Sequence, residues 1–183
     1  MFFALLCPFL FDDKQEVLHD RVNLKEIQPM TREEYYVRGC TALLDAVGGA
    51  IRHIGNVHKY ARAEDRPEKT LFIITTDGME NSSRHYTYEK VRMMIQRQKD
   101  KYGWEFLFLG ANIDAIEEAR RFGIDAEKAV NYECDGVGTE LNYRVLSKAV
   151  SRVRESVCCA SAALDADWKA EIEADYKKRH RRR

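Results

Sequence analysis

At 183 residues, with 45% hydrophobic and 33% charged residues, the chain suits one soluble globular domain with a sizeable core. Its 30 basic and 30 acidic residues cancel, so no overall field argues for nucleic acid or a membrane surface as partner. Five cysteines, odd in number and without a C-x-x-C spacing, indicate neither a disulfide framework nor a zinc site, and reduced thiols in a cytoplasmic protein are expected.

The apolar start Met1–Cys7 has no basic n-region and runs into Pro8 and Asp12-Asp13 without an A-x-A cleavage site, which fits a strand better than a signal peptide. No later stretch reaches the ~18 uninterrupted apolar residues of a membrane span. Phe3 to Phe11 and the alternating Glu16 to Val22 predict a hairpin through Asp12-Asp13-Lys14. From Thr41, apolar positions Leu44, Val47, Ile51, Ile54 and Ala61 recur every three or four residues, with His58 in the same series, predicting a helix that Pro67 must follow. Thr70 to Thr75 is a continuous apolar strand of the kind covered on both faces. Thr87 caps a second helix with an inward stripe of Val91, Met94, Ile95 and Gln98, ending at Gly103.

Trp104 to Gly110 is the next strand, Ile113 to Phe122 a short helix stopped by Gly123, and Ala129 to Asn131 a brief strand. Beyond Gly138, Leu141, Val145, Ala149 and Val153 mark a helix, and Trp168, Ile172 and Tyr176 a more charged one. The basic run Lys177 to Arg183 reads as a solvated tail. A domain is expected over 1–157, with 158–183 forming a charged helix and basic tail. Strands alternating with helices predict an α/β fold with a mainly parallel sheet flanked by helices.

Asp77, in Thr75-Thr76-Asp77-Gly78-Met79-Glu80-Asn81, stands where a buried strand opens into a loop, the usual place for a ligand site in α/β proteins. Thr41, in Gly39-Cys40-Thr41-Ala42-Leu43-Leu44-Asp45, puts a second oxygen at the start of the first helix. Together they suggest a hard-metal site. The plainer readings are a helix N-cap for Thr41 and, for Asp77, a turn carboxylate accepting backbone N–H groups. Asn112 is explained by capping at Ile113, Cys40 by a small core role, and Gly136-Val137-Gly138 by a loop closing onto the last domain helix. The five histidines have no partner pattern for a triad, and neither a dinucleotide fingerprint nor a Walker loop is present.

The threonine segment, the Asp77 segment and Phe106-Leu107-Phe108-Leu109-Gly110-Ala111-Asn112 together resemble a bacterial von Willebrand factor A domain, from Phe9 to about Val157. The resemblance implies a three-layer, Rossmann-like fold with a metal-ion-dependent adhesion site. There an Asp-x-Ser-x-Ser loop, a threonine and an aspartate hold a divalent cation that a partner's carboxylate completes. By position, Thr41 and Asp77 are the metal residues, directly or through water, for Mg2+, Mn2+ or Ca2+. No Asp-x-Ser-x-Ser occurs, so the resemblance implies a domain shortened at its N-terminus, without the first strand and three ligands. Two oxygens then hold only a weak, mostly hydrated ion.

The expected function is a non-enzymatic protein-interaction module that recognises an acidic partner residue through the cation, with no role for nucleic acid or membrane. A metal-independent remnant, or a fragment completed by another segment, is the alternative. A metal-dependent hydrolase at the same strand ends is the third reading. In the family's strand order the absent strand would lie between Phe3–Phe11 and Thr70–Thr75, so either these strands re-pair directly or the chain self-associates through an exposed sheet edge.

Overall fold

The computed structural model describes residues 4–31, 33–34, 39–156, 164 and 166–181. The predicted strand start at Phe3, the Cys158–Cys159 pair, the expected boundary at 157/158 and the last two arginines lie outside the described residues.

Pro8 has no N–H to give to a ladder, and around it the predicted first strand divides into β1 (Leu5–Leu6) and β2 (Phe9–Phe11). The returning strand divides too, into β3 (Gln15–Val17) and β4 (Val22–Asn23). Their antiparallel pairing is the expected hairpin, with Phe9 opposite Val17 and Leu6 opposite Val22. Asp12 is buried at its turn, where its side chain accepts the Lys14 N–H at 2.6 Å. The Asp12 carbonyl accepts the Ala42 N–H at 2.7 Å, tying the hairpin to the start of the first helix.

That helix, α1 (Leu43–Tyr60), buries Leu43, Leu44, Val47 and Ile51 on one face. Gly49 lies under the Gln15 side chain, which a Cβ at that position would overlap, so the hairpin rests directly on the helix backbone.

β5 (Leu71–Thr76), β6 (Glu105–Gly110) and β7 (Ala129–Asn131) form a parallel sheet in the order β5-β6-β7, with Ile73 beside Leu107 and Leu109 beside Val130. Alternation along the strands sends Phe72, Ile74, Phe106 and Phe108 to one face, against α1, α2 (Tyr88–Tyr102) and α3 (Ala115–Arg121). Leu71, Ile73, Leu107 and Leu109 go to the other face, against α4 (Gly136–Glu155) and α5 (Ala170–His180). The fold is α/β, with helices on both faces of a parallel sheet. No described helix is long and apolar enough to cross a membrane.

Thr87 caps α2 by accepting the Lys90 N–H, and Gly103 ends it with φ 64°, both as predicted. α3 starts later than expected because Asp114, not Asn112, caps it, accepting the N–H groups of Ile116 and Glu117. Gly136 and Gly138 form the first turn of α4 rather than a loop, with Asp135 accepting the Gly138 N–H at 2.7 Å. A Cβ on Gly138 would collide with the Glu133 carbonyl, which is why glycine suits that turn. Trp168 and Ile172 are buried in the second face's core, and the Trp168 indole donates to the Glu127 carbonyl at 2.9 Å. Within the basic run, Arg179 pairs with Asp135 at 2.5 Å and with Asp175 at 2.8 Å, so this residue is held to the fold rather than free in solvent.

Direct re-pairing of the hairpin with β5 does not occur among the described residues. The Thr70 carbonyl accepts the Glu105 N–H and the Thr76 carbonyl accepts the Ala111 N–H, so Phe72, Ile74 and Thr76 face β6. Leu71, Ile73 and Thr75 therefore turn their N–H and C=O groups outward. Among the described residues β5 is an edge strand, and the hairpin's main contacts are with α1 instead.

Candidate cation site at the ends of the parallel strands

The loop after β5 folds back across the start of α1, held there by hydrogen bonds between residues far apart in the chain. Asn81 grips Thr41 from both sides: its side-chain oxygen accepts the Thr41 N–H at 2.9 Å, and its own N–H donates to the Thr41 carbonyl at 3.0 Å. One oxygen of Glu80 accepts the Leu44 N–H at 2.8 Å and the Ser83 hydroxyl at 2.7 Å. The other accepts the N–H groups of Ser82 and Ser83 at 3.0 and 2.7 Å. Ser83 Oγ accepts the Asp45 N–H at 3.0 Å. Asp45 in return accepts the N–H groups of Arg84, His85 and Tyr86 at 2.8, 2.9 and 2.8 Å. Burial pushes the Asp45 carboxyl up, but these three N–H groups outweigh it and hold the group below its ordinary 3.8.

This arrangement decides what Thr41 and Asp77 are free to do. Thr41 is not the helix cap: Ala42 occupies that position without a side-chain bond, and the first-turn N–H groups are served by Glu80 and Ser83 from the other loop. The Thr41 hydroxyl lies against the residue after Asp77, since a Cβ on Gly78 would stand 3.3 Å from Thr41 Oγ1. The two segments singled out from sequence thus meet at the strand ends.

Asp77 is exposed, and among the described residues its carboxylate accepts no backbone N–H. Its hydrogen-bond neighbour is the Cys134 thiol, 4.0 Å from Oδ2. The turn role expected of Asp77 falls instead to Thr76, whose hydroxyl donates to the Gly78 carbonyl at 3.0 Å and accepts the Gly78 N–H at 3.4 Å. Asn112, with φ 57°, donates its side-chain N–H to the Asp77 carbonyl at 3.3 Å.

Thr41 and Asp77 offer a hydroxyl and a carboxylate, oxygen donors of the type that suits a hard divalent cation. Asp45 and Glu80 are instead engaged in bracing the loop, each accepting three backbone N–H groups. Cys134, beside Asp77, is no activated nucleophile: burial first, then the charges of Asp77 and Asp135, push its thiol up. Cys40 is exposed, not the small core residue expected.

Sequence reasoning missed the roles of Asp45, Glu80 and Ser83, which no local spacing announces. It also missed a second cluster, in which ligand atoms of Cys7, Asp20 and His53 lie within 4.8 Å of one another. No family model, no curated protein and no solved structure matches the chain.

Proposed function

We propose that the chain is a von Willebrand factor A-type interaction module, three-layered and Rossmann-like, shortened at its N-terminus and without enzymatic activity. It recognises an acidic residue of a protein partner through a divalent cation, Mg2+ or its Mn2+ or Ca2+ equivalents, held near Thr41 and Asp77. The observation that carries this reading is the contrast among carboxylates around one crevice. The Asp45 and Glu80 carboxylates each accept three backbone N–H groups, whereas the Asp77 carboxylate accepts none among the described residues and lies, with the Cys134 thiol 4.0 Å from Oδ2, beside the segment bearing the Thr41 hydroxyl. A cation with few protein ligands stays electrophilic, which favours capture of an incoming carboxylate.

The test is an amide spectrum of the full chain titrated with Mn2+, whose unpaired electrons broaden nearby signals. Selective broadening of Thr41, Asp77 and Gly78, lost in Asp77→Ala, is the expected result. Broadening centred elsewhere, or unchanged in that variant, would remove the site. A second reading, a module completed by a strand from another segment, is favoured by the outward N–H and C=O groups of Leu71, Ile73 and Thr75.

A further inference from the structure

Cys7 follows β1 directly, Asp20 precedes β4, and the pairing of Leu6 with Val22 brings the two onto the same short ladder. His53 reaches them from the middle of α1. Asp20 Oδ1 lies 3.0 Å from His53 Nε2 and 3.7 Å from Cys7 Sγ. These three atoms, one sulfur, one nitrogen and one oxygen, come from three separate segments and converge on one point.

We propose that Cys7, Asp20 and His53 form a zinc site, independent of the cation site at the strand ends, with a solvent molecule as fourth ligand. The distances carry the argument. Bonds of about 2.3 Å to sulfur and 2.0–2.2 Å to nitrogen and oxygen, at tetrahedral angles, place the sulfur about 3.6 Å and the nitrogen about 3.4 Å from the oxygen. The 3.7 and 3.0 Å separations lie within a few tenths of an ångström of that geometry, and the sulfur and nitrogen lie within 4.8 Å of each other, so binding the ion draws the thiolate and the imidazole together. The donor set also fits the ion: thiolate, imidazole and carboxylate all bind zinc, whereas the thiolate disfavours magnesium or calcium.

The order of the contacts argues against a thiol nucleophile. Asp20 sits between Cys7 and His53, so the imidazole is not placed as the base for the thiol. One thiolate and one carboxylate neutralise Zn2+, and the Arg21 guanidinium beside Asp20 leaves the cluster with one net positive charge. Arg21 now forks onto Asp20 through Nε to Oδ1 and Nη2 to Oδ2, both at 3.1 Å. Its Nη2 contact is compatible with Oδ1 turning to the metal. His53 also lines a shallow cleft of about 440 Å3 with Arg21, Asn56, Val57, Tyr60 and Ala61, which opens this side of the imidazole to solvent.

Such a site has a structural consequence. The β1–β4 ladder is two residues long on each side, and isolated two-stranded pairs are marginal in water. A zinc ion shared by Cys7, Asp20 and His53 fastens that ladder to α1.

The experiment loads the full reduced chain with Co2+ as a spectroscopic stand-in for zinc and displaces it with Zn2+. One equivalent should give an intense sulfur-to-cobalt charge-transfer band that zinc abolishes. Cys7→Ser should remove the band, and His53→Ala should weaken zinc binding by ~100-fold or more, at least the top of the range seen when a supporting partner of a metal ligand is lost. Cys40→Ser and Cys134→Ser should change neither. Absence of the band in the unaltered chain overturns the proposal whatever the variants do. So does a band that survives Cys7→Ser and vanishes in a Cys158→Ser, Cys159→Ser double variant, which would assign the metal to the vicinal pair. Melting with Zn2+ present adds a readout free of spectroscopy: the unaltered chain should be stabilised and Asp20→Asn should not.

Discussion

The Glu80 carboxylate accepts the Leu44 N–H at 2.8 Å, so the first turn of α1 is capped from a loop 36 residues away. The same side chain satisfies the N–H groups of Ser82 and Ser83, making one residue the brace between its own loop and the start of α1.

Glu80→Ala should therefore destabilise the chain by about 1–3 kcal/mol, combining a lost cap with amides left unpaired. Glu80→Gln, which keeps one carbonyl oxygen, should fall between. Urea denaturation reads the difference, and an unchanged midpoint in the alanine variant would show that the brace carries no stability.

Asp45 gives a pH prediction. Its folded value is held below the ordinary 3.8, so its contribution is present above that value and is lost as pH falls through the lower folded value. Melting temperature should drop as the solution is acidified below 3.8. Asp45→Asn should start less stable and show a flatter acid limb. An equally steep limb in that variant would assign the acid sensitivity to other carboxylates.

Magnesium should bind weakly. With Thr41 and Asp77 as the protein oxygens, a dissociation constant no tighter than about millimolar is expected, so ~10 mM Mg2+ adds on the order of 1.4 kcal/mol by mass action. A micromolar affinity measured by calorimetry, lost in Asp77→Ala, would mean that further oxygens of this chain join the shell.

What the sequence revealed and what it concealed divide along the range of the interactions. The Thr87 cap, the Gly103 stop and the strand at Ala129–Asn131 depend on neighbours within a turn or on continuous apolar runs, and these were legible. Thr41 as a cap was a sound local reading, overturned because Glu80 and Ser83 arrive from a distant loop. Asp114 displaced Asn112 because the backbone at Asn112 turns left-handed, φ 57°, before the helix can start. The cluster of Cys7, Asp20 and His53 spans separations of 13 and 33 residues, beyond any helical or strand period. Hydrophobic period gives elements and faces, whereas long-range polar contacts follow from packing those faces.

Gly48 on α1 faces the Tyr86 ring, and a Cβ there would stand 2.6 Å from its Cγ. Alanine is ordinarily favoured over glycine inside a helix by roughly 0.5–1 kcal/mol. Overlap with a half-buried ring, costing about 1–3 kcal/mol, should reverse that sign. Gly48→Ala is thus expected to lower the melting temperature, while Gly48→Ala with Tyr86→Leu should recover part of the loss. A gain in the single variant would show that the ring moves aside freely.

The edge of β5, open among the described residues, predicts self-association at high concentration, seen by light scattering. Proline at Thr75 removes an N–H that points away from β6, so Thr75→Pro should fold and associate less. Ile74→Pro, which removes a bond to β6, should unfold the chain. Scattering that is unaffected by Thr75→Pro, in a variant that still melts cooperatively, would locate the contact elsewhere.

The two ends of the sheet are not alike. β7 is closed off by Lys169, whose buried ammonium donates to the carbonyls of Ala126 and Ala129 at 2.7 Å each, with Trp168 packed beside it. Among the described residues, one end of the sheet is guarded and the other open, so the two strand edges do not form a matching head-to-tail pair. If copies pair through β5, the contact joins the same edge of both and is isologous, so it closes as a two-fold dimer instead of extending into a fibre.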